Sequence, residues 1–264
     1  MKILIFNWRD IKNPASGGAE ILTHEMAKRW VRQGHLVTQF SSYFQGAKKE
    51  EIIDGVNIIR RGRADARFLF WSVHFLAFIY YIKYFRNRFD VIIDEIHGLP
   101  FFTPLYAKEK KVALICELAN ELWFILYGPL FGAIGRFIEI IYVKLFYRNI
   151  TFLTISKSTK EELVKNGVNQ NKVHILPMGI NTQNVKNATK EKVPSLVYVG
   201  RLSKAKGIED ALYTIYIIKN KGEKIKLRVI GRGDEEYVSY LHKLSQELNI
   251  SESVDFLGFV SEKE

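Results

Sequence analysis

The sequence contains a single cysteine, and this scarcity excludes small cross-linked domains and cysteine-based metal sites. Cys116 cannot close an intramolecular disulfide, and no histidine accompanies it at the spacing of a metal site. The six histidines are scattered along the chain. We therefore expect a protein without disulfides, metal or cofactor, whose fold rests on a core drawn from its 47% hydrophobic residues.

A secretory signal is also missing, and the apolar run in the first third of the chain is short for a membrane span. Met1 and Lys2 lead directly into an apolar strand pattern with no cleavage site behind it, so we expect a cytoplasmic protein. The apolar run Phe68–Ile82 has fifteen residues, and Ser72 and His74 interrupt it. A spanning helix needs about 20 apolar residues, so this run is too short to span.

Acidic residues are in deficit, with 28 against 39 basic ones and a formal charge of +11. Between Arg60 and Arg88, seven basic side chains stand against Asp65 alone and flank the apolar run. Two interpretations stay open: a core helix with a solvated basic collar, or a helix that contacts anionic lipid on the inner face of a membrane. No nucleic-acid recognition motif is present, so we expect no nucleic-acid partner.

Strand and helix patterns alternate along the first 180 residues. The apolar run Ile3–Phe6 precedes a helical period from Ala19, and Leu36–Ser41 forms the next strand, so this βαβ unit predicts a parallel sheet. Further strands are predicted at Val56–Ile59, Val91–Ile93, Val112–Cys116, Phe152–Ile155 and Val173–Leu176.

Helices are expected between these strands. Phe101–Ala107 is predicted to be helical, and Leu122–Arg148 forms a longer helix that Gly128-Pro129 breaks. In its second half four apolar residues are predicted to share one face, which we interpret as a core face: Phe137, Ile138, Ile141 and Leu145.

The composition changes after residue 180. Residues 181–194 are polar and are typical of a linker, and the strand–helix alternation then resumes over 195–264 with only three strands. The sequence therefore predicts an α/β protein of two Rossmann-like, doubly wound parallel-sheet domains that face a cleft. Residues 1–180 form the first domain and 195–264 an incomplete second one.

A glycine pair marks the first strand-to-helix junction. Gly17 and Gly18 lie in "NPASGGAE", where backbone N–H groups at a helix start can bind an anion and a missing Cβ lets a phosphate approach. The spacing matches neither a dinucleotide fingerprint nor a P-loop. A simple turn and a phosphate site both remain open for this loop.

The second domain repeats the arrangement and adds positive charge. In "VGRLSKAKGIEDAL" Gly200 ends a strand, and Arg201 and Lys206 lie in the loop before the next helix, where a guanidinium and an ammonium suit a diphosphate. A solvated basic loop is the alternative. A third glycine turn, "IGRGDE", contains Gly231 and follows the next strand.

Six segments in this order resemble glycosyltransferase family 4, which has the GT-B fold. They are "SGGAE", "TISKSTKEEL", "ILPMGIN", "VGRLSKAKGIEDAL", "VIGRGDE" and "VDFLGFVS". The resemblance implies a retaining, metal-independent hexosyltransferase. Such an enzyme would move a sugar from a UDP- or GDP-sugar to a glycan or lipid-linked acceptor, as a peripheral membrane enzyme of glycan biosynthesis.

The resemblance also implies roles for individual residues. Arg201 and Lys206 would stabilise the leaving diphosphate, with Gly17, Gly18 and Gly200 close to it. The nucleotide base would lie against Gly231, Phe259 and Val260. His97 would contact the transferred sugar, although a lone histidine is more often structural.

Two departures from the family pattern lower the expectation of activity. Cys116 stands where related sequences often have a histidine, and the family's paired glutamates would lie beyond Glu264. We therefore expect a C-terminally truncated chain that is weak or inactive alone. Two rival hypotheses stay open: a non-catalytic nucleotide-sugar- or lipid-binding fragment, and a sugar-nucleotide epimerase of the same fold.

Overall fold

The chain divides into two compact units, Met1–Ile180 and Asn181–Glu264. The structure, a computed structural model, describes residues 1–64, 71–179 and 191–260. The predicted linker lies largely outside the described residues, as does the start of the predicted helix Phe68–Ile82. Each unit is built around its own sheet, and the two sheets differ in size.

Eight strands form the sheet of the first unit in the order β3-β4-β2-β1-β5-β6-β7-β8. They are β1 Lys2–Phe6, β2 Leu36–Ser41, β3 Glu50–Ile53, β4 Val56–Arg60, β5 Val91–Ile96, β6 Lys110–Ile115, β7 Thr151–Thr154 and β8 Val173–Ile175. All neighbours pair in parallel except β3, which forms an antiparallel hairpin with β4 at the edge. This parallel-dominated sheet confirms the predicted α/β class.

The central strand β1 shows why the sheet forms where it does. Ile3 pairs with Val37 on one side and with Val91 on the other, so β1 is hydrogen-bonded along both edges. Its side chains are buried on both faces, because helices cover both sides of the sheet. A short apolar run without polar alternation is therefore the correct sequence signature for this strand.

Four helices and two π-helical turns accompany this sheet. They are α1 Gly18–Arg32, α2 Trp71–Tyr80 with a π turn at Tyr81–Phe85, α3 Leu122–Ile141 with a π turn at Tyr142–Tyr147, and α4 Lys157–Lys165. Helix α1 buries Ala27 against one face of the sheet. Helix α2 buries Val73 and Ala77 against the opposite face.

The second unit has a smaller sheet, with three parallel strands in the order β11-β10-β9. The strands are β9 Ser195–Val199, β10 Lys226–Ile230 and β11 Val254–Gly258, and the helices are α5 Ile208–Asn220 and α6 Glu235–Glu247. Ile208, Leu212 and Ile215 of α5 are fully buried in its core. These three residues therefore form the face of α5 that packs on the sheet.

Two predicted helices of the first unit differ from the structure. The segment Phe101–Ala107 contains only a 3₁₀ turn at Thr103–Leu105, because the buried Asp94 carboxylate holds its backbone. Asp94 accepts hydrogen bonds from the N–H groups of Phe101 and Thr103, at 2.9 and 3.1 Å. These contacts fix a loop where the apolar pattern alone suggests a helix.

The predicted core face in the second half of Leu122–Arg148 is wrong for Phe137 and Leu145, whereas Ile138 packs against the buried core. Its most apolar 18-residue window, with a mean hydropathy of 1.6, is only 17% buried. Phe137 and Leu145 are about two-thirds exposed, at 64% and 65%, and not on a core face. The buried stripe instead runs through Gly135, Glu139 and Tyr142, because a buried carboxylate occupies a position that hydropathy assigns to the surface. The predicted break at Gly128 is confirmed by its non-helical backbone.

Candidate active site

The loops that follow β9, β10 and β11 are joined by backbone hydrogen bonds into one layer. Gly200 N–H donates to the Ile230 carbonyl at 3.0 Å, and Gly231 N–H donates to the Gly258 carbonyl at 2.7 Å. Leu202 N–H donates to the carbonyl of Arg232 at 2.8 Å. The carboxyl ends of parallel strands are where such sheets bind ligands. The structure therefore brings these three loops together at the binding edge of this sheet.

Close backbone contact fixes Gly231 in this layer. Its φ is +151°, and a Cβ on this residue would lie 1.8 Å from the Gly200 carbonyl oxygen. No side chain fits there without moving one loop away from the other. Gly200 differs, because a Cβ there would make ordinary contacts at 3.6 Å or more with the Tyr198 ring. Packing requires glycine at position 231 and does not require it at position 200.

Both predicted cations lie in the loop that opens α5. The Arg201 carbonyl accepts a hydrogen bond from the Tyr198 hydroxyl at 3.0 Å, which fixes the backbone of the loop there. Lys206 ends a 3₁₀ turn, Lys204–Lys206, and Gly207 at φ +67° then starts the helix. Arg201 and Lys206 are both exposed. The loop thus presents two cations and the start of a helix on one side of the unit.

Arg232 is a site candidate that the sequence prediction did not name. Its guanidinium carbon lies 4.5 Å from the centre of the Phe259 ring, a cation–π geometry. Phe259 remains 61% exposed, so the ring has a free surface for a planar ligand group. Val260 follows directly, at the end of the described residues. The "IGRGDE" turn contained the signal, since an arginine lies between its two glycines.

In the first unit, the predicted residue His97 belongs to a buried polar network centred on Glu95. The Glu95 side chain lies at the carboxyl end of β5 and is 2% exposed. Its Oε1 is 3.1 Å from Nε2 of His97, and its Oε2 accepts hydrogen bonds from Asn7 and Thr23, both at 2.6 Å. The His97 ring also stacks on Trp8, with centroids 5.2 Å apart. Sequence reasoning found the histidine and missed the groups that hold it.

At the Gly17-Gly18 junction the backbone N–H of Gly17 is already hydrogen-bonded within the protein. Gly17 N–H donates to Glu20 Oε2 at 2.6 Å, and Trp8 Nε1 donates to Oε1 of the same carboxylate at 3.0 Å. A Cβ at Gly18 would meet no atom within 4 Å, and Gly18 is exposed. Local packing therefore leaves room for a side chain at Gly18, and the space beside it is open to a ligand.

Carboxylates dominate the electrostatics of this end of the first sheet. Burial raises the pKa of Glu95, and hydrogen bonds from His97 and Thr23 oppose that shift. Burial, then the charges of Glu95, Glu117 and Glu20, raise the pKa of Cys116 to about 12. Carboxylates at one edge, beside an indole and an imidazole, can accept hydrogen bonds from hydroxyl groups and pack against a sugar ring.

The structure offers no obvious metal ligand set. No group of three or more His, Cys, Asp or Glu side chains that could hold an ion occurs within residues 1–64, 71–179 and 191–260. The loops that follow β9 and β10 carry exposed cations, among them Arg201, Lys206 and Arg232.

Two α/β units, one on a parallel-dominated sheet and one on a small parallel sheet, match the GT-B class of glycosyltransferases. Family models agree with this class. The model described as Glycosyltransferase Family 4 matches residues 16–184, and the model described as Glycosyl transferases group 1 matches residues 180–264. The chain belongs to glycosyltransferase family 4. A search of curated proteins found no match.

Solved structures share the fold at low sequence identity. WaaG, a glycosyltransferase involved in lipopolysaccharide biosynthesis, is 12% identical with a TM-score of 0.71, covering 99% of this chain and 71% of that one. A glycosyltransferase from Rickettsia africae is 15% identical with a TM-score of 0.64, covering 99% and 69%. Anabaena HepE, solved with UDP-glucose, is 14% identical with a TM-score of 0.65, covering 99% and 70%.

Proposed function

We propose that the chain acts as a retaining hexosyltransferase that takes a sugar from a UDP- or GDP-sugar. The observation that carries this proposal is the bonded layer of three loops at the carboxyl edge of the second sheet. Gly231 and Gly200 bring two backbones into contact there, with Arg201 and Arg232 close in sequence to them. The complex of HepE with UDP-glucose supports a nucleotide-sugar donor for a chain of this fold.

The leaving group of this reaction is an anion, so the residues proposed to be catalytic are cations. The bond between the anomeric carbon and a diphosphate oxygen breaks, and an acceptor hydroxyl oxygen forms the new bond to that carbon on the same face. The hydroxyl proton passes to the departing diphosphate, on which negative charge develops as it leaves. In the proposed mechanism Arg201 and Lys206 stabilise that charge without a metal ion, and stabilising charge that develops in the transition state is often the largest catalytic contribution. On the first unit, Gly18 would leave space for a phosphate, because a Cβ there would meet no atom within 4 Å.

The base of the nucleotide would contact the surface around Phe259. The exposed ring offers a face for stacking, Arg232 packs against it at 4.5 Å, and Val260 and Gly231 would complete the contact. The Gly258 carbonyl accepts one hydrogen bond, from Gly231 N–H, and its second lone pair could accept another from the base edge. This assignment extends the prediction by one residue, Arg232.

Residues of the first unit would bind the hydroxyl groups of the sugar. The proposal places His97 against the transferred sugar, because Glu95 and Trp8 fix its ring from two sides. The acceptor is proposed to be a glycan or lipid-linked glycan, and the protein to act in the cytoplasm on the inner face of a membrane.

Turnover assays separate this proposal from its rivals. The full chain is incubated with UDP-glucose or GDP-mannose, with and without a lipid-linked glycan fraction and with and without EDTA. The expected result is sugar transfer that is weak, keeps the anomeric configuration and survives EDTA. Release of an epimerised sugar nucleotide without acceptor would replace the proposal with epimerase chemistry. Donor binding without any turnover would favour a binding fragment.

A further inference from the structure

Helix α3 is not one rod but two arms folded against each other. Gly128 has φ +73° and ψ 179°, which breaks the helix between Leu122–Tyr127 and the second arm. A Cβ on Gly132 would lie 2.7 Å from Phe124 Cα, and one on Gly135 would lie 2.3 Å from the Trp123 ring. In a straight helix, residues eight apart would be separated by about 12 Å. We call residues 122–141 the apolar hairpin.

The base of the apolar hairpin is fixed to the first unit. The buried Glu139 carboxylate accepts hydrogen bonds from the N–H groups of Ala119 at 2.7 Å and Asn120 at 3.0 Å, and it pairs with Arg136 at 2.9 Å. Tyr142, one turn further, is fully buried in the core. The hairpin is thus anchored at its charged end, while its apolar tip lies at the surface.

The tip exposes large apolar side chains on both arms. No charged residue occurs between Glu121 and Arg136. The exposed side chains are Phe124, Ile125, Leu126, Tyr127, Leu130, Phe131, Ile134 and Phe137. Residues 124–127 are consecutive, and at 100° per residue they point in directions covering most of the circle around the helix. The apolar surface therefore surrounds the first arm instead of forming one stripe along it.

This distribution fits a surrounding apolar medium better than a single protein partner. A partner protein or a second copy would cover one face, which needs one stripe. By length and composition Leu122–Tyr147 could cross a bilayer. The break at Gly128 leaves a first arm of six residues, about 9 Å long, and the second arm ends in the core of the first unit at Tyr142 and Tyr147. Interfacial elements enter the boundary between head groups and acyl chains by about 5–10 Å, which matches this arm.

Basic and aromatic residues near the hairpin favour an anionic surface. Residues 1–180 contain 25 basic and 16 acidic residues, a formal charge of +9 out of the total of +11. Lys144 and Arg148 are exposed just beyond the hairpin. Tyr127 at the tip has the amphipathic ring that is enriched at membrane interfaces.

A second apolar row lies on the same side of the sheet. Ile92 and Ile96 of β5 point to one face, the first packing with the core under α2 and the second with the core at Tyr142. Helix α2 exposes Phe75 and Phe78 on its outer side. Three exposed basic residues follow it: Lys83, Arg86 and Arg88. Both apolar elements and their basic neighbours thus belong to one side of the first unit.

We propose that the apolar hairpin inserts into the interfacial region of an anionic lipid bilayer and docks the first unit on it. The insertion depends on the exposed tip and not on α2 alone. The proposal is independent of sugar transfer, because a chain without any turnover would bind vesicles equally well.

Vesicle flotation tests the proposal directly. The full chain is floated with vesicles of phosphatidylcholine and phosphatidylglycerol, and with phosphatidylcholine alone. We expect flotation with the anionic vesicles, and a Leu126→Ser/Leu130→Ser variant to partition at least about tenfold less. The matched control is Leu36→Ser/Ile52→Ser, which removes two similarly exposed side chains elsewhere on the unit and should partition like the unaltered chain.

A labelling experiment gives a second readout. In a Cys116→Ser background, an environment-sensitive dye on Leu126→Cys should shift to the blue with anionic vesicles, while the same dye on Ile52→Cys should not. Thermal melts of all variants confirm that they fold. The proposal is overturned if the chain does not float, if the hairpin variant floats as well as the control, or if sedimentation shows a dimer that the hairpin variant alone disrupts.

Discussion

Oε1 of Glu95 lies 3.1 Å from Nε2 of His97, and the other oxygen of the same carboxylate is held by Asn7 and Thr23. The carboxyl group is fully buried, so it cannot turn to water when the ring moves. His97 therefore has a fixed orientation at the end of β5, with Trp8 stacked on its face. Such a positioned ring differs from a histidine that merely fills space.

Replacing Glu95 by glutamine tests whether this carboxylate orients the His97 ring or only contributes to the stability of the fold. The amide keeps the shape of the side chain but removes the charge opposite His97, so we expect donor turnover to fall by roughly 10- to 100-fold. The ¹⁵N shifts of the His97 ring should change, because the hydrogen bond sets its tautomer. Glu25→Gln, on the surface of α1, is the control. Unchanged turnover together with unchanged ring shifts would refute the positioning role.

The raised pKa of Glu95 predicts a pH effect on stability of defined sign. Because burial raises the pKa, the folded chain binds this proton more tightly than the unfolded chain does. The contribution of Glu95 to stability is therefore most favourable at low pH, and it falls as pH rises from the unfolded pKa through the folded one. The test is urea unfolding of the unaltered chain and of Glu95→Gln at several pH values. The advantage of the unaltered chain in unfolding free energy should shrink or reverse as pH rises. A difference that stays constant with pH would contradict this prediction.

A side chain at Gly231 should separate the loops of the second unit. Gly231→Ala would place its methyl carbon 1.8 Å from the Gly200 carbonyl oxygen, at a φ of +151° that residues with a side chain rarely adopt. We expect a loss of more than about 2 kcal/mol in unfolding free energy, together with weaker nucleotide binding. Gly222→Ala shares a positive φ of +81° but meets no atom within 4 Å, so it should cost only about 1 kcal/mol. Equal losses would show that packing does not matter at Gly231.

The thiol of Cys116 should be unreactive near neutral pH. Burial and the neighbouring carboxylates raise its pKa to about 12, so little thiolate exists at pH 8. Alkylation by iodoacetamide should be more than about 100-fold slower in the folded chain than in denaturant. In the denatured chain the alkylation rate should level off above about pH 9, where most of the thiol is ionised. In the folded chain the alkylation rate should keep rising above that pH. A folded rate that levels off at the same pH would show that access alone limits the reaction.

The sequence predicted the elements whose signals are local. Apolar runs such as Ile3–Phe6 correspond to buried strands because both faces of the sheet are covered, and Gly128 breaks its helix as a glycine before proline should. The edge strand β3 was missed, since "EEII" is only half apolar and does not alternate, and its pairing with β4 depends on the turn at Asp54-Gly55. Predictions worked where one residue's conformation or one short run determined the element.

The errors came from buried polar groups. Asp94 holds the loop at Phe101 and Thr103, and Glu139 holds the apolar hairpin, yet a carboxylate in a hydropathy pattern predicts a surface position. For the same reason, sequence analysis identified His97 but not the buried Glu95 that orients its ring. Glycines and cations at strand ends were found because the parallel fold places strand ends at one edge, whereas the partner of a buried carboxylate depends on contacts distant in sequence.

Calorimetric titration with UDP tests the central claim, that the loop layer of the second unit binds a nucleoside diphosphate. The full chain, an Arg201→Ala/Lys206→Ala variant and a Lys204→Ala control from the same loop are compared at one salt concentration. We expect the double variant to bind roughly 100-fold more weakly, because charge-assisted hydrogen bonds to the diphosphate are lost. The control should stay within about threefold of the unaltered chain. Equal affinity of the double variant and the unaltered chain, or no binding by any of the three, would contradict the account.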